Sequence, residues 1–144
     1  PENMLRGVSG STYWLVDYGL SKKFRRSDGT HIPPKTDKSI VGTPRFVSRN
    51  LHAGCQSSRR DDLESLIYSL IYLAKGASLP WDGVKTKNKK EKLDRIAECK
   101  AAVPPEKLCS GLSKAFLLYL QSVRDIDFEE TPPYDILVQY FEQG

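Results

Sequence analysis

Asn3 and Asp17 are the first residues whose types and places suggest chemistry. Asn3 precedes the apolar stretch Met4 to Arg6, and Asp17 follows the apolar stretch Tyr13 to Val16. Gly7-Val8-Ser9-Gly10-Ser11 lies between them, which reads as a hairpin with a Gly/Ser turn. A hairpin returns Asn3 and Asp17 to the same end of two adjacent strands. A side-chain carbonyl and a carboxylate are hard oxygen ligands. They suit Mg²⁺, which takes few protein ligands and completes its shell with water and nucleotide phosphates. Apart, the two motifs carry little, because an acid before Gly is ordinarily a turn residue. Their shared hairpin is what joins them.

The cations come next. Lys22, Lys23, Arg25 and Arg26 form one cluster, and Lys85, Lys87, Lys89, Lys90 and Lys92 form another. Each is either a solvated face or a site for phosphate and acidic side chains. Lys and Arg total 22 against 18 Asp and Glu, a net charge of +4, which falls short of a nucleic-acid tail. The second cluster also lacks interleaved aromatics and a nucleic-acid motif, so nucleic acid is not an expected partner. The three cysteines, Cys55, Cys99 and Cys109, lack CxxC spacing and fit a reducing compartment. Two histidines argue against a zinc site. No apolar run approaches the roughly 20 residues of a membrane span.

These groups must be positioned by the rest of the chain. A length of 144 residues suits one domain. From Gly19 to about Asn50 the chain is polar and aperiodic, a long loop of the kind that is usually functional. Leu63, Leu66, Ile67, Leu70, Ile71 and Ala74 then recur at helical spacing and predict a central core helix. Asp61, Asp62 and Glu64 suit its positive front end, and Gly76 stops it. Trp81 anchors the turn that follows. Further helices are expected over about 89–101, with Leu93, Ile96 and Ala97 inward, and about 114–126, with Ser113 as N-cap. The second of these has Phe116, Leu117, Leu120 and Val123 as its buried stripe. After Pro132 and Pro133 comes a last helix with Ile136, Leu137, Tyr140 and Phe141. The expected class is mainly α: a helical bundle around a buried central helix, with one short β-hairpin.

Other motifs follow in order: Gly42-Thr43-Pro44-Arg45, the run Ser58-Arg59-Arg60-Asp61-Asp62-Leu63-Glu64-Ser65, and Leu79-Pro80-Trp81. With Pro1-Glu2-Asn3 and Asp17-Tyr18-Gly19, the chain resembles the C-terminal lobe of casein kinase 1 family serine/threonine protein kinases over nearly its whole length. The Arg-Arg-Asp-Asp-Leu-Glu-Ser run and the Leu-Pro-Trp turn carry the family likeness. The Asn and Asp-x-Gly motifs are general to protein kinases, which hold two Mg²⁺ with them. Tau-tubulin and vaccinia-related kinases are relatives expected to match that run less well.

The resemblance implies an ATP- and Mg²⁺-dependent phosphotransferase acting on Ser/Thr of acidic or phosphoprimed proteins in the cytoplasm, with the nucleus and cytoskeleton as further locations. It implies metal ligation by Asn3 and Asp17. Tyr18 stands where the family has Phe and is expected to fill an apolar spine. Gly19 is expected to give the loop start its backbone freedom, and Thr43 to support the catalytic Asp and Lys at the substrate site. Asp62 matches an acid that braces the catalytic-loop backbone from the helix front. Lys22 and Lys38 match one anion pair. Arg45, Gly83 and Lys92 match a second anion site, which holds a substrate phosphate; Lys87, Lys89 and Lys90 stay a solvated face.

Some features depart from the family pattern. Ser48-Arg49-Asn50 stands near the family's Ser-Ile-Asn, and Pro44 replaces a small residue. Lys75-Gly76-Ala77 is one residue longer than usual, and the hairpin turn is shorter. Counting back from Asn3, the catalytic Asp and its Lys would precede Pro1. Pro1 is no translation start, so residues 1–144 are expected to be part of a longer kinase whose N-lobe lies upstream, inactive by themselves. The competing class is a non-catalytic, kinase-like scaffold within a larger assembly.

Overall fold

The computed structural model describes residues 1–10 and 12–143; Ser11 of the predicted turn lies outside them. Strand β1 (Met4–Arg6) pairs antiparallel with β2 (Tyr13–Leu15), in the register Met4 to Leu15, Leu5 to Trp14 and Arg6 to Tyr13. Val16 falls just outside the strand, yet its N–H still donates to Asn3 O at 2.9 Å. That bond extends the ladder toward the Asn3 end.

Six helices follow: α1 (Arg49–His52), α2 (Arg59–Ala74), α3 (Lys89–Ala102), α4 (Pro105–Leu108), α5 (Lys114–Arg124) and α6 (Tyr134–Glu142). The described chain is therefore mainly α with one two-stranded hairpin. The short α1 and α4 were not expected. One turn of helix carries too little apolar periodicity to be read from sequence. The third long helix ends at Arg124 rather than Ile126, although Ile126 is still buried.

Helix α2 is the centre of the packing, against α5 on one side, while α5 packs in turn on α6. Ile67, Tyr68 and Ile71 of α2 have no exposed surface, and neither has Leu120 of α5. Trp81, Ile96, Leu108, Val123 and Leu137 belong to the same core, with Phe46, Leu79, Cys109, Tyr119 and Ile126. Each such side chain contributes about 1.5–3 kcal/mol by leaving water.

The buried face of α2 is rotated from the expected stripe. Asp61, Glu64 and Tyr68 are inside, whereas Ala74 is exposed and Leu63 and Leu70 only flank the core. The reason is polar: Asp61 and Glu64 bind groups on neighbouring segments and turn that face inward. Of the front carboxylates, Asp61 is the capping one. It accepts from Ser58 N at 2.8 Å, Ser48 Oγ at 2.6 Å and Asn50 Nδ2 at 3.1 Å. Glu64 is no cap; Tyr68 OH donates to it at 2.6 Å and Arg124 Nε lies 3.6 Å away.

Gly76 ends α2 as expected, with φ of +66°, and Ala77 follows in the same left-handed region. Ala77 N then donates to Tyr72 O at 2.8 Å, satisfying a terminal carbonyl. In α5, Tyr119 and Ala115 are more buried than the expected Phe116 and Leu117. In α6 only Leu137 is fully buried, and Ile136 is half exposed. Ser113 occupies the N-cap position of α5, but its hydroxyl makes no cap bond.

Candidate functional site

The hairpin, the Gly42–Val47 segment and the front of α2 enclose a cleft of about 720 Å³. Asn3, Asp17, Thr43 and Asp62 all line it. The strand register places Asn3 and Asp17 at one end of the hairpin, as the sequence pattern predicts. Asp17 has φ of +63°. This left-handed conformation is tolerated by Asp because its short side chain bonds locally. Here Asp17 Oδ1 accepts from Gly19 N at 3.3 Å. A backbone held there costs on the order of 1–3 kcal/mol, and such residues concentrate at functional sites.

Gly19 serves this arrangement in an unexpected way. It does not take a positive φ; Asp17 does. A Cβ on Gly19 would sit 3.3 Å from Asp17 Oδ1, so the glycine leaves room for the carboxylate. Tyr18, expected to fill an apolar spine, is 64% exposed among the described residues. Asp62 lies at the edge of the cleft. Desolvation first, and the Asp61 carboxylate second, hold its carboxyl above the usual carboxylate range, with Lys22 opposing.

One amide oxygen and a carboxylate fit an ion that keeps several waters and draws its remaining ligands from phosphates. They do not fit a metal caged by protein alone, and among the described residues no group of three or more His, Cys, Asp or Glu forms such a cage. The donor set of Asn3 and Asp17 is thus compatible with Mg²⁺ carried in with a nucleotide.

Lys22 lines a pocket of about 300 Å³ with Asp17 and Asp62 and, on its other side, a groove of about 290 Å³ that Lys35 and Lys38 also line. Burial pushes the Lys22 ammonium below its usual range, and Lys38 adds to that, while Asp62 and Asp61 oppose it. The pair Lys22 and Lys38 is therefore brought together. Lys35 joins it and was not singled out. The anchoring bonds are local to the backbone: Lys38 N donates to Gly54 O at 2.9 Å, and Gln56 N donates to Lys35 O at 2.8 Å.

Arg45, Gly83 and Lys92 line one pocket of about 250 Å³, together with Thr43 and Trp81. Gly83 thus stays beside Arg45 across the Lys75–Ala77 connection. Gly83 has φ of +78° with open space where a Cβ would be, so the backbone conformation is what requires glycine there. Arg45 is not free in this pocket. Its Nε donates to Asp82 Oδ1 at 2.6 Å, and its guanidinium stacks 5.0 Å from the Tyr72 ring centroid. Sequence reasoning missed Asp82, which adjoins Gly83. Lys92 is exposed.

The segment bearing Arg45 is held from beneath. Trp81 is 2% exposed, and its Nε1 donates to Arg45 O at 2.8 Å. Lys100 on α3 is buried, with Nζ donating to Pro44 O at 2.9 Å and Val47 O at 2.6 Å. Burial pushes its ammonium down to about 7, against the pull of Glu64. Trp81 keeps the structural role expected for it. Lys100 was missed, because a lysine at a helical inward position reads as surface until its carbonyl partners are known.

The Arg59-Arg60 pair is also structural. Arg59 lies 4.4 Å from the Phe24 ring centroid and donates to Glu129 O at 2.8 Å. Arg60 donates to Ile126 O at 2.9 Å. The two arginines tie the 24–31 loop and the α5–α6 connection to the front of α2. No protein-family model matches the chain. No helix among the described residues is long and apolar enough to cross a membrane.

Proposed function

We propose that residues 1–144 form the C-terminal lobe of a casein kinase 1-like protein kinase. In this reading the whole enzyme transfers the ATP γ-phosphate to Ser or Thr of acidic or phosphoprimed proteins. The observation that carries it is the meeting of Asn3 and Asp17 at the hairpin end, on a cleft that Thr43 also lines. The convergence of Arg45, Gly83 and Lys92 on a neighbouring pocket supports the preference for a phosphorylated substrate.

Mg²⁺, when bound, neutralises charge on the ATP phosphates. The chain's own part is to orient. Asn3 and Asp17 would hold the ion at a fixed end of the hairpin, Asp17 in a backbone conformation that Gly19 makes room for. Thr43 stands where the cleft meets the anion pocket. Arg45 and Lys92 supply charge-assisted hydrogen bonds to a phosphate carrying about −1.5 to −2 charge. No carboxylate in these residues is assigned the role of general base. Asp61 is committed to Ser48, Asn50 and Ser58, and the base belongs to the upstream segment of the catalytic loop.

The exposed hairpin side chains suit a second lobe above the cleft. Tyr13, Trp14 and Leu15 are each more than half exposed. The same observation favours the alternative, a non-catalytic kinase-like component whose hairpin is covered by an assembly partner. The encoded polypeptide that contains these residues decides between them. Purified, folded and binding ATP, it should phosphorylate a phosphoprimed Ser peptide in the presence of Mg²⁺, and Asp17→Ala should abolish turnover. A folded, ATP-binding parent without activity on that peptide would sink the kinase reading in favour of the scaffold.

A further inference from the structure

We propose that Lys100 is a positioning residue for the Arg45–Lys92 anion site, bracing the turn that bears Arg45 against the helix that bears Lys92. The inference rests on the anion-site reading above. Lys92 and Lys100 are both on α3, about two helical turns apart. Arg45 is on the separate segment that runs from Thr43 to Val47. The Nζ of Lys100 reaches across to that segment and donates to Pro44 O at 2.9 Å and Val47 O at 2.6 Å. One side chain thereby sets the separation of the two arms that would clasp a phosphate.

The brace is completed by its surroundings. Lys100 Nζ stands 5.0 Å from the Tyr68 ring centroid and 5.1 Å from that of Trp81. Trp81 Nε1 holds Arg45 O, so three carbonyls of the segment are taken by two side chains of the body. An apolar residue at position 100 would leave the buried Val47 carbonyl unpaired and Pro44 O with only the His52 contact at 3.3 Å, and a neutral amine would bond both carbonyls more weakly than an ammonium.

The charged and titratable groups around Lys100 are few. From α2 come Glu64 and Tyr68. From α1 comes His52, whose Nε2 lies 3.3 Å from Pro44 O. Arg49 of α1 and Arg124 of α5 face Glu64 rather than Lys100. Arg45 and Asp82 pair with each other on the Trp81 side. Burial first, and Lys100 second, push His52 down to about 4, and burial raises Tyr68 well above its usual range. Between pH 6 and 9 both therefore stay neutral while Lys100 passes from ammonium to amine. The hold on the turn weakens over that interval, and the grip of the anion site weakens with it.

The test uses sulfate, whose charge is constant over this interval, and a phosphoserine peptide, titrated calorimetrically into the protein. Wild type should lose sulfate affinity several-fold from pH 6 to pH 9. Lys100→Met should bind about tenfold more weakly at pH 6 and show no such pH dependence. Lys100→Arg, which keeps a permanent charge, should recover most of the pH 6 affinity with a flat profile. Binding that requires Arg45 and Lys92 but is unchanged in Lys100→Met overturns the inference and leaves the anion site standing. No binding of either probe, or binding indifferent to Arg45→Ala, overturns the anion site and the inference together. Should Lys100→Met fail to fold, Lys100→Gln, shorter and uncharged, takes its place, and sulfate affinity equal to wild type at pH 6 in that variant overturns the inference.

Discussion

Asp82 Oδ1 accepts from Arg45 Nε at 2.6 Å, joining two residues that line the Gly83–Lys92 pocket and lie far apart in the chain. The second carboxylate oxygen of Asp82 accepts from Leu79 N at 2.9 Å, which fixes the acid before it meets the arginine. The pair orients the guanidinium and offsets part of its charge. Arg45→Ala should therefore weaken a phosphoprimed peptide by about 1.5–3 kcal/mol, the worth of hydrogen bonds to a charged group. It should leave the unprimed peptide nearly unchanged, and Lys92→Ala should do the same to a smaller degree. Asp82→Asn, which keeps an acceptor for Leu79 N, should tighten phosphopeptide binding a few-fold. Titrations with matched primed and unprimed peptides read all three, and equal losses on both peptides would count against a phosphate site.

A second expectation concerns Asp61. It is 1% exposed and accepts from Ser48, Asn50 and Ser58, so it joins the end of the long loop to the start of α2. Asp61→Ala removes the acceptor and leaves Ser48 Oγ, itself buried, without it. The loss should be about 3 kcal/mol, from the helix cap and the unsatisfied partners together. Urea denaturation of Asp61→Ala and Asp62→Ala would compare the two acids directly. A larger effect at position 62 would contradict the assignment of the cap.

Glu64 and Arg124 form the most enclosed ion pair, with side chains 4% and 8% exposed and 3.6 Å between Arg124 Nε and Glu64 Oε1. Arg49 Nε lies 3.4 Å from the same oxygen. Glu64→Ala strands a buried guanidinium and should cost about 3–5 kcal/mol. Glu64→Leu with Arg124→Leu should recover part of that loss, since the desolvation of both charges is removed while the buried Tyr68 hydroxyl loses both of its partners. A double variant no more stable than either single one would show that the pair adds more than it costs.

His52 makes stability depend on pH. Burial first and Lys100 second lower its pKa from 6.5 to about 4 in the folded protein. Between those values the unfolded chain takes up a proton that the folded chain does not. The contribution is present above about pH 6.5 and is lost as pH falls toward 4. Urea midpoints measured from pH 7 to pH 4 should fall more steeply in wild type than in His52→Gln. Parallel slopes would remove His52 as the cause.

The parts of the molecule legible without coordinates are those that local chemistry enforces. The hairpin could be read because Met4–Arg6 and Tyr13–Leu15 are short apolar stretches around glycines. With it came the placing of Asn3 beside Asp17. Helices α2, α3, α5 and α6 could be read because their periodicity runs over enough residues to outweigh chance. The meeting of Arg45, Gly83 and Lys92 on one pocket could be anticipated only through family likeness, since they lie on three separate segments.

What remained hidden depends on partners distant in sequence. Asp61 and Asp62 are adjacent and identical in type, and only the positions of Ser48, Asn50 and Ser58 select Asp61 as the cap. Glu64 and Lys100 carry charges that belong in water by their types alone. Arg124, Tyr68 and the carbonyls of Pro44 and Val47 make their burial tolerable. Tyr18, an aromatic expected inside, is exposed among the described residues. Residue order thus set the elements and brought the cleft residues to one end of a hairpin, through backbone geometry and periodicity. Tertiary packing chose which charges are buried, because the desolvation of a charge is offset only by partners that folding brings within hydrogen-bond reach.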